Sequence, residues 1–112
     1  MSYELVIVEP AEFDVDYLYR YISERSPQGA GAWYRAFEKC LARIVDQPFS
    51  CSLAPENPRF TFELRQAIFK TRYGDPYRCI FTVVDNEVRV LRVRGRGQPP
   101  LEAKDIVELE PH

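Results

Sequence analysis

At 112 residues, the chain is long enough for one domain, residues 1–112, that buries about 65% of its unfolded surface. Its balance of 46% hydrophobic and 29% charged residues is that of a soluble globular protein. The longest apolar run, CIFTVV, is far short of the ~20 residues that span a bilayer.

The formal net charge of -2 conceals a segregation. Residues 1–58 hold five basic and nine acidic side chains, residues 59–96 nine and four, and residues 97–112 one and four. Such asymmetry bears on partner choice and encounter rate more than on fold. The only histidine is His112, so Ser–His and Cys–His nucleophile pairs and HExxH sites are excluded. Cys40, Cys51 and Cys79 are odd in number and lack CxxC spacing, which argues against a disulfide framework or zinc site. No metal and no cofactor is implied. MSYELVIVEP carries no basic region or cleavage-like site, and the thiols suit a reducing cytoplasm.

In chain order, YELVIV (3–8) is a short apolar run ended by Glu9-Pro10, a buried strand. Pro10 opens a helix in which Phe13, Tyr17, Leu18, Tyr21 and Ile22 recur at helical spacing. Glu12, Asp14 and Asp16 then form a solvated, acid-loaded helix start. Ser26-Pro27 supplies an N-cap and a first-turn proline for a second helix, with Ala30, Trp33, Tyr34, Phe37, Leu41 and Ile44 in a 3.6 period. Gln47-Pro48 ends it, and so short a connection makes the two helices an antiparallel hairpin. PFSCSLAPENPRF has three prolines and is a loop, with a turn around Glu56-Asn57-Pro58.

Three strands follow: FELRQAIFK (62–70), YRCIFTVV (77–84) and EVRVLRVR (87–94). Tyr73-Gly74-Asp75-Pro76 and Asp85-Asn86 supply the turns. EAKDIVELE, after Pro99-Pro100, is compatible with a short strand or a helical turn. The order β-α-α-β-β-β gives an α+β domain, a helical hairpin on a mostly antiparallel sheet.

A two-residue turn at Asp85-Asn86 sets Val84 opposite Glu87. Strict pairing then gathers Cys79, Phe81, Val83, Val88 and Val90 on one face, under the helices. Arg78, Ile80, Thr82, Val84, Arg89, Leu91 and Val93 fall on the other. Arg92 and Arg94 share the helix-side parity, yet arginine is seldom buried unpaired, so they are expected beyond the helices' cover. Arg65, Arg72, Arg78, Arg94 and Arg96 would then meet at the strand ends as a cationic patch that binds an anionic target.

These residues resemble the RelE/ParE superfamily of toxins from type II toxin–antitoxin systems, which includes plasmid stabilisation proteins. The resemblance runs through YELVIVEPA, DVDYLYRYISERSP, AGAWYRAFEKCLARIVDQP, ELRQAIF and YRCIFTVVDNEVRVLRVRGRG. It implies a toxin neutralised by a cognate antitoxin wrapped around its sheet and helices. RelE-like members cut mRNA in the ribosomal A site; ParE-like members poison DNA gyrase. Arg65 matches the family's ELR arginine and Arg78 its YR arginine. The loop after the last strand usually reads close to HGRR or RHGR, whereas here it is RGRG, without the histidine.

RNA cleavage needs a proton acceptor, a proton donor and cations on the phosphate. Arginine fills only the last role, since it stays protonated. RelE-like enzymes use lysines and a tyrosine near the C-terminus. This chain has only Lys39, Lys70 and Lys104, and no tyrosine after Tyr77. The favoured reading is a non-enzymatic, ParE-like toxin that binds gyrase. One alternative is a RelE-like endoribonuclease using Arg65, Lys70, Tyr73 and Arg78, although Tyr73 and Tyr77 suit packing better. Another is a degenerate relative that only binds antitoxin. Charge further predicts an acidic, or apolar and acidic, antitoxin segment on the mixed sheet face, as an added strand or amphipathic helix.

Overall fold

The order of elements follows from local signals, which a computed structural model of the chain places in space for residues 3–106. β1 (Glu4–Ile7) leads directly into α1 (Glu9–Arg25), where Pro10 occupies the first turn and Glu9 and Glu12 face the positive helix end. A single residue, Ser26, separates α1 from α2 (Pro27–Asp46). It closes the first helix and caps the second, its hydroxyl accepting the Gly29 N–H at 3.0 Å. After the 48–64 loop come β2 (Arg65–Phe69), β3 (Tyr77–Val84) and β4 (Glu87–Gly95). The β-α-α-β-β-β order and α+β class are as the sequence predicts, with β2 shorter than the expected 62–70 span.

The sheet order is β1-β4-β3-β2. β1 runs parallel to β4, and the other two pairs are antiparallel. α1 packs on β4 and α2 on β2. From α2, Ala30, Trp33, Phe37, Cys40 and Ile44 enter the core at alternating three- and four-residue steps. Trp33 and Phe37 stack at 6.0 Å, and both meet Phe69 of β2. From α1 only Ala11 and Leu18 are fully buried, while Phe13, Tyr17 and Tyr21 of the expected stripe lie exposed.

The β3–β4 hairpin turns at Asp85 (φ 55°), and Val84 pairs with Glu87 as the two-residue turn requires. Strict alternation holds as far as Phe81–Val90. A bulge then intervenes, and Ile80 pairs with Arg92, Cys79 with Val93 and Arg78 with Arg94. Leu91 is therefore the extra residue. This corrects the expected faces: Val93 joins Cys79, Phe81, Val88 and Val90, and Arg94 joins Arg78 on the opposite face.

That opposite face is not solvated. The 51–64 loop and the 98–106 segment cover it, leaving Ile80 and Leu101 fully buried and Thr82 bonded through its hydroxyl to the Glu63 carbonyl at 2.7 Å. The 98–106 segment contains one short 3₁₀ turn, Ala103–Asp105. The rest of the EAKDIVELE segment, with His112, lies outside the described residues. No helix among those described is long and apolar enough to cross a membrane.

Candidate functional site

Placing two arginines directly opposite one another on adjacent strands is unfavourable unless each meets a counter-charge. The Arg78–Arg94 pair meets that condition with carboxylates from distant chain segments. Arg78 donates from both terminal nitrogens to Glu56, at 2.9 and 2.7 Å, and to Gln66 Oε1 at 2.9 Å. Glu56 is only 3% exposed and also accepts the Leu101 N–H at 3.0 Å. Hydrogen bonding from Arg78 outweighs the cost of burial and holds its carboxyl at about 2. Arg94 is 9% exposed and lies 3.8 Å from Asp105, while its Nε has no hydrogen-bond partner among the described residues.

Arg92 is tied more closely. Its Nε and Nη2 donate to the two oxygens of Asp14 at 2.7 and 2.9 Å, and its Nη1 to the Asp105 carbonyl at 3.0 Å. Asp14 also accepts the Val93 N–H at 2.9 Å, on the stretch of β4 that β1 is too short to pair. Asp14 is thus a covering group for an open strand edge, not the solvated helix-start acid its position suggests.

The remaining predicted residues occupy two other settings. Arg65 pairs with Phe81 across β2–β3 and so shares the helix-side parity. Its guanidinium reaches Glu63 at 2.9 Å and the Cys51 carbonyl at 2.6 Å, 5.1 Å from the Phe49 ring centre. Arg72 and Arg96 are exposed near the β2–β3 turn. Arg96 lies 3.5 Å from Asp75, and Arg72 sits over the Tyr73 ring at 5.2 Å. Tyr73 is 88% exposed, against the packing role expected of it, whereas Tyr77 does pack, on Trp33 and Phe69. Lys70 is exposed on the same turn's approach.

The structure therefore brings Arg78 and Arg94 together on one face, and Arg72 and Arg96 to one end. Arg65 lies on the other face of the sheet. The RGRG loop has its own packing reason: a Cβ on Gly95 would come within 2.7 Å of the Tyr77 ring. Chemically, a guanidinium with a buried carboxylate can orient and neutralise but cannot accept a proton. The three thiols are buried, and a hydrogen bond to Cys40, together with burial, pushes the Cys79 thiol well up, which disfavours its thiolate. Among the described residues no group of His, Cys, Asp or Glu could hold a metal.

Residues 5–100 match the family model of the ParE toxin of type II toxin-antitoxin systems, parDE. The chain belongs to the ParE toxin family. No curated protein matches it. The match runs from within β1 through β4 and includes the helical hairpin and the loop that carries Glu56, while Leu101 and Asp105 lie beyond it. It also places the chain with toxins that act beside a cognate antitoxin.

Two ParE-domain residues escape sequence reading. Glu56 looks like a turn acid and Asp14 like a helix-start acid, because their partners lie 22 and 78 residues away. The one local hint is arithmetic: an arginine-rich hairpin of this size requires carboxylates from elsewhere in the chain.

Proposed function

We propose that this protein is the toxin of its system, that it acts without catalysis by binding DNA gyrase in the cytoplasm, and that its cognate antitoxin blocks it. The ParE family match over residues 5–100 is the observation that carries this reading. The site chemistry supports it. Of the residues an endoribonuclease would use, Arg78 is paired with Glu56 and Arg65 with Glu63, while Lys70 and Tyr73 stand exposed, Tyr73 beneath Arg72. Of the arginines of the predicted patch, Arg72 and Arg96 are exposed, near Tyr73 at the β2–β3 end. This mixture of aromatic and guanidinium groups is common where proteins dock. Arg78 and Arg94 adjoin that end but are engaged by Glu56 and Asp105, and Arg65 lies at the far end of β2 with Glu63.

Expression without antitoxin should arrest growth, and the purified chain should inhibit gyrase supercoiling. Arg72→Ala with Arg96→Ala should weaken that inhibition at least about tenfold while the melting temperature stays unchanged, since exposed charges contribute little to stability. Cleavage of ribosome-bound mRNA without gyrase inhibition would overturn the reading.

A further inference from the structure

At the corner where α1 passes into α2, the helices and the β2–β3 turn enclose a cavity of about 460 Å³. Ser26 and Gly29 line it from the helices, and Arg72, Tyr73 and Asp75 from the turn. Trp33 and Tyr77, whose rings meet edge to face at 5.5 Å and 75°, line it as well. Trp33 poses the chemical question. It is only 2% exposed, yet its Nε1–H has no hydrogen-bond partner among the described residues. A buried indole N–H normally has an acceptor, because leaving it without one is costly. Phe37, Phe69 and Tyr77 pack on the indole as aromatic rings. That leaves the cavity as the source of an acceptor.

The charge on the lining selects the sign of the ligand. Arg72 has no carboxylate within ion-pairing distance among the described residues, and its guanidinium sits over the Tyr73 ring at 5.2 Å. Asp75 is the one acid on the lining, and it lies 3.5 Å from Arg96. The local balance is therefore two guanidiniums to one carboxylate, and the first turn of α2 adds its positive helix end. One negative charge matches that balance, whereas a dianion would meet Asp75 with a surplus. A planar carboxylate also suits the fork of a guanidinium. The tyrosines select the rest: Tyr73 is exposed and Tyr77 half-buried, and both offer ring faces to a flat apolar body. The volume falls within the range of about 300–1,000 Å³ that holds small molecules.

We propose that this cavity binds a small aromatic monocarboxylic acid. Its ring packs against Tyr73 and Tyr77, and its carboxylate meets the charge of Arg72 and accepts the Trp33 Nε1–H. The inference shares Arg72 with the proposed docking end but does not depend on gyrase as the target.

Trp33 is the only tryptophan of the chain, so its fluorescence reports on the cavity directly. The test titrates phenylacetate, phenylacetamide and acetate into the full chain, with calorimetry alongside. Phenylacetate should shift the Trp33 emission and bind at least about tenfold tighter than the neutral amide. That preference should shrink as salt rises. Acetate, which lacks the ring, should leave the emission unchanged. Arg72→Gln should bring the acid and the amide within about threefold of one another. Trp33→Phe, read by calorimetry, should weaken both ring compounds, since each offers an oxygen to the N–H that is lost. Should Trp33→Phe fail to fold by circular dichroism, the exposed Arg72→Gln substitution decides alone. No binding of phenylacetate, equal affinities for acid and amide in the native chain, or an acid preference that survives Arg72→Gln would each overturn the proposal. So would native affinity in a folded Trp33→Phe variant. Gyrase inhibition and growth arrest are read separately, so failure of one inference leaves the other standing.

Discussion

The two faces of the β-sheet solve the same problem with opposite materials. On the helix side, Cys79, Phe81, Val88, Val90 and Val93 are fully buried beneath α1 and α2, with Arg65 at the end of β2. On the other side, a loop and the 98–106 segment cover Ile80 and Leu101 together with Arg78, Arg94 and a buried Glu56. Non-directional burial tolerates small shifts in the packed elements. The polar face fixes a geometry, since each guanidinium must find its oxygen within hydrogen-bonding range. Helices hold the first face by area, and irregular chain holds the second by specific bonds.

The sharpest way to break this comparison is to remove one member from each face. Phe81→Ala should destabilise by about 3–5 kcal/mol through the cavity it leaves. Glu56→Ala should cost about 3 kcal/mol by leaving the half-buried Arg78 without its carboxylate and the Leu101 N–H unsatisfied. Urea unfolding measures both, and an effect under about 1 kcal/mol for Glu56→Ala would show that water replaces the carboxylate.

Acid should then separate the faces. The folded Glu56 carboxyl lies at about 2, below its ordinary 4.5, so its stabilisation is complete above pH 4.5 and disappears as pH falls towards 2. The shift corresponds to about 3 kcal/mol. Across that window the deficit of Glu56→Ala relative to the native protein should shrink, whereas that of Phe81→Ala should not.

Smaller effects refine the boundary between the faces. Asp14→Ala should cost about 2 kcal/mol, because it strips Arg92 of its carboxylate and exposes the Val93 N–H. Hydrogen exchange at Val93 should accelerate in that variant and not in Asp16→Ala. Arg96→Ala should change stability by no more than about 0.5 kcal/mol, as expected of an exposed pair with Asp75.

Whatever rests on near neighbours was legible in the sequence. Ser26-Pro27 marks the helix corner, Tyr77–Val84 appears with both ends in place, and the Val84–Glu87 pairing follows from the turn length. What rests on distant partners was hidden. The bulge at Leu91 sits where β1 ends and just before Val93, whose N–H Asp14 takes, and it moves every later β4 residue to the other face. Glu56 looks like a loop residue until Arg78 and Leu101 close on it. Tyr73, by contrast, resembles its half-buried neighbour Tyr77 in composition and differs in where the chain bends. The arginines were legible as a group; their division among two sheet faces and a turn was not.

With Ser26 alone between them, α1 and α2 cannot spread or slide far without unwinding a turn of helix. The helical wall of the cavity at that corner is consequently shaped before any visitor arrives. Ordering on association falls on the incoming acid, so stiffening that molecule, rather than this wall, is the route to tighter binding.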